Sequence, residues 1–149
     1  MKTIKQALLI FFCSFLFSCE DKEIEASVEK MLTGTWEWES TDGGIAFNIH
    51  QSPTTTDKNV LLIFKPKRHY SIFVNNKLVE EGSFTFTKQK CIHNHSEKPV
   101  IQLNKTINTE PGVNIPAVIK MIENLDENTL TFSDENYDGI GSSFKRINK

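Results

Sequence analysis

The sequence lacks an excess of positive charge. Seventeen Lys and Arg stand against nineteen Asp and Glu, for a formal net charge of −2. A nucleic-acid groove needs a basic field, so that class of partner is excluded. The sequence also lacks any spacing of histidines, acids and serines that names a nucleophile or an acid–base pair, so nothing points to an enzyme. Glu80 and Glu81 are adjacent, and on a strand their carboxylates face opposite sides, which suits edge solubility rather than paired chemistry. No apolar run reaches the about 20 residues that a spanning helix needs. Internal repeats and low-complexity segments are missing. Cysteine is scarce, at three residues, and no cofactor is expected.

What is present begins with an address. Lys2 and Lys5 give a short positive start, residues 7–17 are almost wholly apolar, and Ser18-Cys19 closes the run with small residues. This is the layout of a secretory signal. Leu16-Phe17-Ser18-Cys19 resembles a bacterial lipobox, in which the cysteine thiol is diacylglycerylated and the chain is cut before it. The resemblance implies a covalent lipid on Cys19, anchoring to the membrane through several acyl chains at about 0.8 kcal/mol per buried methylene, and a place in the bacterial cell envelope on the outer membrane, periplasmic or surface side. Residues 1–18 are then the signal peptide, 19–31 the acylated N-terminus with a charged tether, and 32–149 the folded domain of about 120 residues, enough for one core. Lys2 and Lys5 leave with the signal, so the formal charge falls by two, from −2 to −4. Cys13 leaves too and Cys19 carries lipid, so Cys91 stands alone, no internal disulfide forms, and the remaining thiol is best kept buried.

Residues 26–32 space Val28, Met31 and Leu32 for one face of a short helical turn. From Gly34 on, short segments rich in β-branched and aromatic residues alternate with turn clusters. Strands are predicted at 35–40, with Trp36 and Trp38 on one face; at 45–50, with Ile45, Phe47 and Ile49 alternating; and at 60–64 and 69–74. Further strands are predicted at 78–87, where Gly82 marks a bulge, and at 100–103, 117–125, 129–133 and 142–147. Residues 51–59 and 104–116 read as polar, turn-rich loops. Asn75-Asn76 is a hairpin signal. Short strands at near-regular spacing mean a sandwich or an up-and-down barrel, and hairpin-length turns favour the barrel.

Leu32-Thr33-Gly34-Thr35-Trp36 resembles the opening of lipocalin-like domains. Leu125, Leu130-Thr131-Phe132-Ser133 and Phe144-Lys145-Arg146 are similar to the last hairpin of small bacterial lipocalin-like lipoproteins. The resemblance implies an all-β, small up-and-down antiparallel β-barrel. It also implies a barrel-closing pair, with Arg146 over the Trp36 ring.

Three residue sets are candidates for binding. Phe47, Phe64, Phe73, Phe84 and Phe86 would line a barrel mouth for a small apolar ligand, or fill the core. Cys91, His93 and His95 alternate, and on a strand they would offer a metal three ligands on one side; in a loop they are two exposed histidines beside a buried cysteine. Asp134, Asn136 and Asp138 match the first half of a calcium loop, although Lys145 stands where a bidentate glutamate is wanted; a plain hairpin turn is the other reading. The expected function is binding, either of a small apolar ligand or, with a filled barrel, of an envelope protein partner through loops 51–59 and 104–116.

Overall fold

A computed structural model describes residues 17–108 and 114–148, with side chains for 23–106 and 114–147. The chain divides after Met31 into two units. Helix α1 (Phe17–Leu32) belongs to the first as far as Met31. The charged segment expected as a tether is therefore helical. The run has no Gly or Pro and holds four Glu and two Lys, which favour helix. Residues 1–16 of the expected signal peptide lie outside the described residues. Among the described residues no helix is long and apolar enough to cross a membrane.

The second unit is built on nine strands: β1 (Gly34–Gly43), β2 (Ile49–Gln51), β3 (Val60–Lys65), β4 (His69–Val74), β5 (Lys77–Lys90), β6 (Glu97–Asn108), β7 (Met121–Leu125), β8 (Thr129–Ser133) and β9 (Ile140–Asn148). All but β2 follow one another round an antiparallel ring that closes through the pairing of β1 with β9. The result is an eight-stranded closed barrel, as the sequence predicts. The β1–β9 pairing means that neither the first nor the last strand of the ring presents a free edge to another chain.

Period-two alternation decides what fills the ring. Val60, Leu62 and Phe64 on β3 face Val74, Ile72 and Tyr70 on β4, and all six are buried. Trp36, Trp38, Phe84, Phe132 and Phe144 complete the interior with equally buried side chains. A fully buried large apolar side chain is worth about 1.5–3 kcal/mol, so this layer supplies most of the driving force. Phe64 meets Phe84 edge-on with centroids 5.2 Å apart, and Phe132 meets Phe144 at 5.9 Å. The acid Glu80 is buried on the inward face of β5, where it accepts a 2.7 Å bond from the Tyr70 hydroxyl and pairs with Lys105 at 2.5 Å. Burial, with help from Glu80, pushes the Tyr70 pKa above its ordinary 10.0.

Turn and bulge chemistry sets the register. Asn75 and Asn76 both take positive φ, at 49° and 64°, as a tight hairpin between right-twisted strands requires. Gly82 sits at the register shift between β5 and β6, where a Cβ would meet the Asn104 carbonyl oxygen at 2.2 Å. A second shift in β1, between Trp38 and Ser40, changes the inward set from Trp36 and Trp38 to Thr41 and Gly43.

Four expectations are corrected. Residues 45–47 form a 3-10 turn rather than a strand, because Gly43 and Gly44 (φ 131° and 78°) turn the chain and Ala46 and Phe47 follow with positive φ; only Ile49–Gln51 pairs with β1. The 51–59 loop holds a one-turn helix α2 (Pro53–Thr56), started by a Ser52–Thr55 capping box with proline at its first turn. Strand β6 runs on to Asn108, well into the expected loop. Strand β7 begins at Met121, and residues 114–119 have no regular structure.

That irregular stretch is a strap. Asn114 accepts from Lys58 Nζ at 2.8 Å, the Val118 amide donates to Ser142 Oγ at 2.7 Å, and the Lys120 carbonyl accepts from the Ile101 amide at 2.8 Å. Ser142 points inward and is buried, and Pro116 is buried with it. The strap thus crosses the Gly43 end of the barrel, and β6 and β7 pair only at Val100 and Met121 among the described residues.

Candidate functional site

The Gly34 end of β1 is sealed by side chains. The Arg146 guanidinium lies 3.9 Å from the Trp36 ring centroid, with Nη1 donating to the Thr33 carbonyl at 2.8 Å and Nε to the Glu127 carbonyl at 2.6 Å. Trp36 Nε1 donates to the Leu32 carbonyl at 2.7 Å. Burial lowers the Arg146 pKa, while the charges of Glu127 and Asp126 oppose that shift. Among the described residues no buried side-chain nitrogen or oxygen here lacks a partner.

The Gly43 end differs. Exposed Ile45 (71%), Phe47 (77%) and Tyr137 (83%) crown two clefts, each of about 420 Å³, that share Asp134 and Ile140 as walls. Large apolar side chains left in water at this level are rare unless something covers them. The first cleft is also lined by Cys91, His93, Lys98, Glu123 and Glu135.

The wall of that cleft is assembled from two turns and strand β7. The β5–β6 turn is closed by the Cys91 amide bonded to the Ser96 carbonyl and the His95 amide bonded to the Cys91 carbonyl, at 2.8 and 2.9 Å. This turns Cys91 inward to pack with Val100 and Met121. In the β8–β9 turn, Asp134 Oδ1 accepts from the Asn136 and Ile140 amides. Gly139 allows the turn to close, since a Cβ there would meet that oxygen at 2.3 Å. Glu135 takes a positive φ of 61° and is 7% exposed. Its Oε1 accepts from the Ile92 amide. Glu123, at a register shift in β7, accepts from Ser133 Oγ at 2.8 Å on Oε1 and meets Lys98 through Oε2. One ligand atom each from Cys91, Glu123 and Glu135 lies within 4.8 Å of the other two. The bond to Glu123 raises the Lys98 pKa; burial opposes the rise, and the charges of Glu123, Cys91 and Glu135 add to it.

The residues expected from sequence distribute unevenly over this geometry. Phe64 and Phe84 are buried, inward, and part of the packed core. Phe86 is inward, 5.4 Å from Phe84, half-buried, and covered by the Arg68 guanidinium at 5.2 Å. Phe73 does not line the interior: its register partners Leu61 and Leu78 put it on the outer face. Phe47 does not either, because the glycine turn carries it out of the sheet. None of the described clefts is lined by Phe64, Phe73, Phe84 or Phe86. Cys91, His93 and His95 are not gathered on one side, since the segment is a turn; Cys91 is buried and both histidines are exposed. His93 instead meets Tyr137 edge-on at 6.2 Å. Asp134 is spent on holding its own turn, and Asp138 is exposed, so the half calcium loop acts as a hairpin turn. Cys19 falls in α1 and its side chain lies outside the described ones.

Sequence reasoning missed Glu123 and Glu135. A lone acid in the apolar run Met121-Ile122-Glu123 was the available signal for the first. Glu135 gave none, because only its left-handed backbone turns it from the turn surface into the cleft. No protein-family model, no curated protein and no solved structure matches this chain.

Proposed function

We propose that the chain is an exported, lipid-anchored, lipocalin-like barrel of the bacterial envelope that works by binding a protein partner at the Gly43 end. The anchor reading rests on the signal layout of residues 1–18 and on Cys19 after Leu16-Phe17-Ser18. The likeness to lipocalin-like domains draws support from the Gly34-x-Trp36 opening and from Arg146 stacked on Trp36. The observation that carries the binding reading is a contrast in burial. Most of the large inward side chains, Trp36, Trp38, Phe64, Phe84, Phe132 and Phe144 among them, are packed away from solvent, whereas Ile45, Phe47 and Tyr137 are left in water around adjoining clefts. A filled interior with an apolar rim suits a protein surface better than a carried molecule.

A small apolar ligand is the second reading, favoured by Phe86 and Leu103, which face inward yet are only half-buried. Native mass spectrometry of protein extracted from its own membrane separates the two. The first reading expects acylated Cys19 and a co-purifying protein lost in a Phe47→Ser, Tyr137→Ser double variant. A small bound molecule retained by that variant would favour the second. An unmodified Cys19 thiol would remove the anchor from either.

A further inference from the structure

The trio in the first cleft is more than an acidic cluster, because its third member is a buried thiol. Cys91 is 3% exposed and no hydrogen bond to its sulfur is found among the described residues. Its sulfur lies within 4.8 Å of a carboxylate oxygen from each of Glu123 and Glu135. A point central to three atoms so spaced is within about 2.8 Å of each, against metal bonds of about 2.3 Å to sulfur and about 2.0–2.2 Å to oxygen. Both carboxylates are oriented by donors: the Ile92 amide holds Oε1 of Glu135, and Ser133 Oγ holds Oε1 of Glu123, whose Oε2 is taken by Lys98. Orienting donors of this kind are what ligating carboxylates carry in metal sites. The buried Glu135 also sits on left-handed backbone, a conformation that costs energy and persists where the surroundings impose it.

We propose that Cys91, Glu123 and Glu135 bind a divalent cation of the zinc class, with a fourth coordination position facing the cleft that His93 lines. A thiolate ligand selects a borderline or soft ion over magnesium or calcium. Lys98 is the counter-ion in the metal-free chain: it contacts Glu123, and an entering cation displaces it. On binding, the Cys91 sulfur–hydrogen bond breaks, a sulfur–metal bond forms, and the proton passes to solvent. Neither the lipid anchor nor the partner reading is needed for this.

Cobalt(II) titration of the full chain in detergent tests it, followed by competition with zinc. The expected result is a thiolate-to-cobalt charge-transfer band that zinc removes. Cys91→Ser abolishes that band although Cys13 and Cys19 remain. Glu135→Gln and Glu123→Gln each weaken binding about tenfold or more, and Lys98→Met strengthens it. The proposal is overturned if the unaltered chain gives no band, or if the band is unchanged in both glutamine variants. It is equally overturned if Lys98→Met weakens binding in a chain whose circular dichroism is unchanged. If Cys91→Ser does not fold, the glutamine and Lys98 variants decide, since all three keep the thiol.

Discussion

The two ends of β1 solve the problem of closing a barrel in different ways. At the Gly34 end, one aromatic ring under one guanidinium seals the opening, and the surrounding carbonyls are used up by Arg146 and Trp36. At the Gly43 end, an irregular strap crosses the mouth, held by Ser142 and Lys58, and the turns beside it expose aromatic side chains and draw Glu135 inward. The first arrangement spends every polar group on stability. The second leaves apolar surface in water and sets two carboxylates beside a buried thiol. On the partner reading proposed above, strength and recognition are separated along a single strand.

Substitutions at the two ends should differ in kind. The largest effect is expected from Trp36→Ala, which empties a fully buried site and unseats Arg146; a loss of about 3–5 kcal/mol is expected, read from the denaturant midpoint. A loss under about 1 kcal/mol would mean that the stacked pair is not what holds this end. Next comes Tyr70→Phe, beside the same end of the barrel, at about 1–3 kcal/mol, because Glu80 loses a buried donor. Its pH dependence sharpens the point. The folded state holds the Tyr70 proton more tightly than the unfolded chain, whose value is near 10.0. The contribution is therefore complete below about pH 10 and is lost as pH rises beyond it. Thermal melts of the unaltered chain should fall away on that alkaline limb, and those of Tyr70→Phe should fall less. Smallest of all is the double variant Phe47→Ser, Tyr137→Ser, expected within about 0.5 kcal/mol of the parent because both side chains are exposed. A larger loss would show that these residues serve the fold rather than a partner.

The barrel was legible because its strands repeat with period two and its hairpins carry recognisable turn residues. Trp36 and Trp38, Leu130 and Phe132, and the Asn75-Asn76 turn all declare themselves locally. The Ile45-Phe47-Ile49 alternation misleads for a physical reason: the same pattern serves a strand or a turn, and Gly43-Gly44 chose the turn. Phe73 lies outward against expectation because Ile72-Phe73-Val74 is apolar at every position and hides which parity points inward until register is known. The candidate site was the least legible part. Cys91 stands out in the sequence, but Glu123 arrives from strand β7 and Glu135 from the β8–β9 turn, and only a shifted register and a left-handed residue bring their oxygens to it.

The claim that recognition belongs to the Gly43 end is open to one direct measurement. A photoreactive side chain placed at Phe47, at Tyr137, or at Glu127 beside the sealed end can be activated in envelopes of the producing cell. The expected result is cross-linking to a discrete protein from the first two positions and none from the third. Equal labelling from all three, or labelling from Glu127 alone, would contradict the account.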